Sequence, residues 1–155
     1  MELFRINVDS PVGLWGVEGT NEGITHIHLP HERGRSSLGV APRHVKDAAR
    51  QLEQFFAGRR RSFDVELAEM PATNFQHDVW RALQRIPYGQ VRTYADVAAS
   101  LKRPRAMRAV GNANHANPWP VIVPCHRVVA KSGLGGYGGG EDVKRFLLEL
   151  EGVAV

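Results

Sequence analysis

The chain of 155 residues contains one cysteine, Cys125, and that count limits how the chain can be held together. No intramolecular disulfide can form, and no multi-cysteine cluster can hold a structural zinc ion. Stability must come from an apolar core. An apolar share of 43% is enough to build one, as a single compact unit or as two small ones. An unpaired thiol also suits a reducing compartment. The stretch from Met1 to Arg5 alternates like a strand and does not read as a signal sequence. No apolar run approaches the roughly 20 residues of a membrane-spanning helix. The expectation is a cytoplasmic chain with no membrane partner.

Periodicity divides the chain in two. Residues 3–8 alternate with Phe4, Ile6 and Val8 on one face, as in a half-buried strand. A turn at residues 9–13 leads to a second strand over 14–17, and residues 24–29 read as a third. Val45, Ala48, Ala49, Leu52, Phe55 and Phe56 repeat at helical spacing before a stop at Gly58. Residues 62–67 read as a further strand, and Met70-Pro71-Ala72 as a linker. The predicted units are an α/β subdomain over 1–69 and a mainly helical one over 73–155.

The second unit opens on a capping box, in which Thr73 and Gln76 can satisfy each other's free amides. Its helix carries Phe75, Val79, Leu83 and Ile86 on one face and stops at Pro87-Tyr88-Gly89. A short helix over 94–101 follows with Thr93 as cap, and Lys102-Arg103-Pro104 breaks it. A second helix is predicted over 105–114, with Pro104 suiting its start. A final helix over 141–149 places Val143, Phe146, Leu147 and Leu150 on its buried side.

Helix, short turn, helix is the outline of a DNA-binding helix-turn-helix, although an ordinary helical hairpin has the same outline. The net charge of +4 and the basic cluster Lys102, Arg103, Arg105 and Arg108 favour an anionic partner. The second helix carries small residues, Ala106, Ala109, Gly111 and Ala113, around the single long cation Arg108. Such a smooth helix suits close approach to a groove with little choice of sequence.

Cys125 stands in Pro124-Cys125-His126-Arg127, after the apolar stretch 119–123, read as a strand, and before the glycine-rich loop 132–140. A buried structural cysteine is the commoner fate of a lone thiol. A thiol next to a histidine can instead be a nucleophile.

Three ordered blocks decide between these readings: Ile86-Pro87-Tyr88-Gly89, Arg108-Ala109-Val110-Gly111, and Ile122-Val123-Pro124-Cys125-His126-Arg127-Val128-Val129. Together they resemble the O6-alkylguanine-DNA alkyltransferase family, strongly over 73–152 and in general outline before that. The resemblance implies an RNase H-like N-terminal subdomain of strands plus a helix, followed by a winged-helix-like helix-turn-helix domain. It implies that Cys125 accepts the alkyl group, with His126 as its base and Glu151 orienting that base. Asn117 would support the active-site turn, while Tyr94 and Arg108 would flip the target nucleotide. The DNA-facing set is then Arg108, Tyr94, Ala106, Met107, Ala109, Gly111 and Arg127. Tyr137, Ser132 and Val128 would contact the extruded base.

The chemistry fits that assignment. Only thiolate is nucleophilic enough to displace an alkyl group from guanine O6, so the thiol needs a base. Neighbouring side chains on a strand point to opposite faces, so a bridging water is the natural link from Cys125 to His126. The resemblance implies the same. The thioether formed has no route back to thiol, so each molecule acts once; the resemblance implies O6-alkylguanine, and O4-alkylthymine, in double-stranded DNA as its substrates. The chain is expected to be a monomer in solution that can cluster on DNA, and no cofactor is called for.

Some members of that family bind zinc through N-terminal cysteines and histidines, but this chain has no cysteine there. His26, His28 and His31 read as surface or structural residues, and no metal is assigned. The main alternative function is a non-enzymatic binder that flags alkylated DNA, which the presence of Cys125 argues against. A cysteine hydrolase leaves the helix-turn-helix unexplained, and a transcription factor is disfavoured by the smooth second helix.

Overall fold

Strand β1 (Phe4–Ser10) runs antiparallel to β2 (Gly13–Gly19), and β2 runs antiparallel to β3 (Ile24–His28), so the sheet order follows the sequence. The computed structural model describes residues 2–37 and 39–155. Between β1 and β2 the chain reverses at Gly13, whose φ of +126° is closed to ordinary side chains. Helix α1 (Arg43–Phe56) turns Val45, Ala48, Leu52 and Phe55 inward to full burial, as its 3.6-residue periodicity requires. Trp15 is also fully buried, 5.0 Å from Phe56 between ring centres, and its indole N–H donates to Ser10 Oγ at 2.9 Å.

Residues 62–67 do not form the expected strand. Among the described residues this stretch makes a single bridge, between Ile24 and Leu67. The reason lies in Gln51, whose side-chain amide donates to Asp64 O at 2.8 Å and whose carbonyl accepts from Asp64 N at 2.9 Å. A side chain thereby occupies both ladder groups of Asp64.

The chain divides into two compact units between Met70 and Pro71. The second begins with α2 (Asn74–Gln84), capped reciprocally by Thr73 and Gln76 as expected. Helix α3 (Tyr94–Ser100) has the same device at Thr93 and Asp96. Helix α4 (Met107–His115) starts two residues later than expected. Residues 103–106 close a turn of their own, with Ala106 N donating to Arg103 O, and Lys102 adopts φ +60°. Val79, Leu83, Val97, Ala98, Val110 and Ala113 form the core among α2, α3 and α4. Trp80 joins α2 to α4 by donating its indole N–H to Ala113 O at 2.9 Å. Trp119 packs edge-on against Trp80, which gives this large side chain a structural place.

Two-residue strands β4 (Arg92–Thr93) and β5 (Val128–Val129) pair in parallel, and both are too short to show a period. Helix α5 (Glu141–Leu150) buries Val143, Lys144, Leu147 and Leu148; Phe146 and Leu150, expected inside, are only half-buried. No helix among the described residues is long and apolar enough to cross a membrane.

Candidate active site

The stretch before Cys125 folds as a tight turn instead of the expected strand. Pro118, Pro120 and Pro124 supply no N–H for a ladder. Asn117 fills that role by donating to Val123 O at 2.8 Å and accepting from Trp119 N at 2.9 Å. Val121 is held at φ +77°, an outlier for a β-branched residue that only a well-packed surrounding sustains. Cys125, His126 and Arg127 then form one turn of 3₁₀-helix. Cys125 and His126 therefore do not occupy the opposite faces of a strand expected from the sequence.

His126 is fully buried, and its Nε2 lies 2.6 Å from Glu151 Oε2. Burial pushes the Glu151 carboxyl up, but hydrogen bonds from His126, Arg127 and the Gly89 N–H outweigh it and hold the group at about 2. The ionised carboxylate can only accept, so Nε2 of His126 carries the proton. Nδ1 is left with its lone pair and has no hydrogen-bond partner among the described residues. Burial lowers the His126 pKa; Glu151 opposes this, and Arg127 and Lys144 reinforce it. The imidazole is neutral near pH 7 and can take a proton.

Cys125 is 5% exposed. Burial pushes its thiol up, and side-chain hydrogen bonds with Asn117 and Tyr137 pull it back, as does the Lys144 cation. The resting sulfur is therefore a thiol amid groups arranged to favour thiolate. Asn114 Nδ2 donates to the Cys125 carbonyl at 3.3 Å and fixes the turn.

Lys144 escaped sequence reasoning. It is completely buried, donates to Val128 O at 2.6 Å and to Gly136 O at 3.2 Å, and burial lowers its pKa to about 8. The available signal was a lysine between Val143 and Leu147 on an otherwise apolar helix face.

Tyr94 opens α3, and its hydroxyl lies 3.5 Å from Gly136 O. Burial, then the charge of Cys125, raises its pKa, so the phenol keeps its proton. Gly135, at φ +77°, brings the glycine-rich loop so close that a Cβ would stand 3.0 Å from the Tyr94 hydroxyl. A Cβ on Gly111 would stand 4.0 Å from the Tyr94 ring, so α4 passes directly beside it. Met107, Arg108 and Ala109 are exposed on the opening turn of α4, and Ala106 is half-exposed. Ser132 is exposed on the loop, and Tyr137 is half-buried.

A family model for the 6-O-methylguanine DNA methyltransferase DNA-binding domain matches residues 74–153. A methylated-DNA–protein-cysteine methyltransferase from Methanosarcina acetivorans is 45% identical over 151 residues, covering 93% of this chain and 95% of its own. The chain belongs to the methylated-DNA–protein-cysteine methyltransferase family. A relative of that name from Mycolicibacterium paratuberculosis is 45% identical, with 93% of this chain and 89% of the relative covered. The crystal structure of Mycobacterium tuberculosis O6-methylguanine methyltransferase superposes with a TM-score of 0.83 at 42% identity, covering 97% of this chain and 93% of that one. The Mycobacterium tuberculosis enzyme in complex with DNA gives 0.78 at 42% identity, covering 94% and 90%.

Two residues of this family member stand elsewhere than expected. Arg127, expected to contact DNA, is 7% exposed; its guanidinium donates to Glu151 and to Ile86 O at 2.8 Å, and lies over the Tyr88 ring. Each of its three guanidinium nitrogens donates within the protein. Val128, expected to touch the base, is fully buried, and its carbonyl already accepts from Lys144.

Proposed function

We propose that this methyltransferase repairs O6-alkylguanine, and O4-alkylthymine, in double-stranded DNA by moving the alkyl group irreversibly to Cys125. The reading rests above all on one arrangement: a buried thiol preceding a neutral histidine whose proton Glu151 pins on Nε2. The free Nδ1 takes the Cys125 proton through a bridging water. The thiolate attacks the alkyl carbon, a carbon–sulfur bond forms, and the carbon–O6 electron pair returns to guanine. Tyr94, kept protonated by burial, donates a hydrogen bond to the leaving base. Asn117 and Tyr137 steady the sulfur, and Ser132 closes the loop over the base.

Reaching Cys125 requires the nucleotide to leave the duplex, which costs a few kcal/mol, least for a poorly paired base. We read α3 and α4 as a winged-helix-like helix-turn-helix. Ala106, Met107, Ala109 and Gly111 allow close approach to the groove, Tyr94 turns the target phosphate, and Arg108 fills the gap. The first unit is read as a reduced RNase H-like arrangement. The protein acts as a monomer in the cytoplasm and can cluster on DNA. The complex of the Mycobacterium tuberculosis relative with DNA supports DNA as the partner.

Intact-mass spectrometry after mixing with duplex containing O6-methylguanine tests this reading. One methyl should appear on the Cys125 peptide, with no second turnover and none in Cys125→Ser. Tight lesion binding by an unmodified wild-type protein would establish the flagging function instead.

A further inference from the structure

Three side chains converge on the solvent-facing side of the N-terminal sheet. Glu18 on β2 pairs in register with His26 on β3, and His28 lies two residues on, so all three share one face. The imidazoles stack with centres 5.6 Å apart. Glu18 Oε1 lies 3.6 Å from His26 Nδ1 and 3.4 Å from His28 Nε2. Those separations are too long for hydrogen bonds, and both nitrogens are buried without a hydrogen-bond partner among the described residues. They do match a tetrahedron's edge. Ligands about 2.0–2.1 Å from a central zinc ion sit roughly 3.3–3.4 Å apart.

We propose that Glu18, His26 and His28 bind a zinc-class divalent cation, with water completing the coordination. Two imidazoles and a carboxylate suit zinc and do not suit magnesium or calcium, which prefer all-oxygen sets. Glu32 supplies the outer shell. Its Oε1 accepts from Leu29 N at 2.9 Å, while its Oε2 stands 3.7 Å from Nδ1 of His28. That placement favours a proton on Nδ1 and a lone pair on Nε2, the nitrogen facing Glu18. Arg5, paired in register with Glu18, is the nearby cation; its guanidinium is turned to Asn7 and to the Glu32 carbonyl. The ion would clip β2 to β3, and Glu32 would tie in the loop that follows. Sequence reasoning missed the set because Glu18 is on a different strand from the two histidines.

The test is zinc titration of chelator-treated full-length protein by calorimetry, with Cys125→Ser in parallel to remove binding by the thiol. One zinc per chain is expected in both proteins, accompanied by a zinc-dependent rise in melting temperature that magnesium does not reproduce. Glu18→Gln and His28→Asn should each weaken binding at least tenfold, and Glu32→Gln by roughly tenfold. Cobalt substituted at the site should give visible ligand-field bands in Cys125→Ser, with no thiolate charge-transfer band. Absence of zinc binding in Cys125→Ser, or undiminished affinity in both Glu18→Gln and His28→Asn, would overturn the proposal.

Discussion

Arg127 grips Glu151 from one side while His126 holds it from the other, so a single carboxylate organises the donors of one cation and one neutral imidazole. The guanidinium reaches Oε1 at 2.9 Å and Oε2 at 3.0 Å, and the histidine shares Oε2 at 2.6 Å. Removing one member of such a buried pair strands the other. Arg127→Met should therefore cost roughly 3–5 kcal/mol, read as a lower urea midpoint. Salt-dependent binding to undamaged duplex should be unchanged in this variant. A weaker binder of normal stability would return Arg127 to the DNA-contacting set.

Acid should destabilise the protein in two stages. His126 is neutral when folded but takes a proton below about pH 6.5 when unfolded, so the unfolded chain binds more protons and stability falls as pH drops. Glu151 titrates near 4.5 unfolded and near 2 folded, which adds a second decline across that window. Glu151→Gln should abolish the lower decline. Lys144 acts at the other end: from about 8 to 10.5 the unfolded chain keeps a proton the folded one has lost, so stability rises there with pH. Urea melts at a series of pH values measure all three effects.

Arg108→Ala should slow repair of duplex DNA by roughly tenfold to a hundredfold, the equivalent of a few kcal/mol of unstacking. Reaction with free O6-benzylguanine should be almost untouched, because a free base needs no extrusion. Equal losses on both substrates would rule out the finger role.

Lys144→Met should show the opposite pattern. Without the buried cation the Cys125 thiol rises further, and less thiolate forms on duplex and free base alike. Single-turnover rates for both substrates should fall together, and the alkaline limb of the pH–rate profile should move upward.

Gly135→Ala should damage activity more than stability. Its Cβ would meet the Tyr94 hydroxyl and ring at 3.0–3.1 Å from a backbone at φ +77°. Displacing Tyr94 should lower the single-turnover rate, and a rate equal to wild type would show that the loop yields instead.

Much of this was legible from residue order. The caps at Thr73 and Thr93 announce themselves because a hydroxyl and a partner three residues on satisfy amides within one turn. Cys125 and His126 stand in the motif around the thiol, whereas Glu151, 25 residues beyond His126, came only with the family resemblance. What escaped was fixed by contacts distant in sequence. Gln51 competing for the Asp64 backbone, Lys144 buried under Val128 and Arg127 committed to Glu151 leave no periodic trace. The turn at Asn117 hid behind apolar residues whose composition suits a strand equally well.

The parallel pairing of Arg92–Thr93 with Val128–Val129 joins two places that otherwise act separately. One of its strands leaves the Cys125 turn, and the other ends on the residue that caps the helix bearing Tyr94. In the proposed reaction the sulfur gains a carbon at a residue that is only 5% exposed. The sulfur and the cap of the helix proposed to face DNA thus share one backbone brace, so what is added at the first bears on the second.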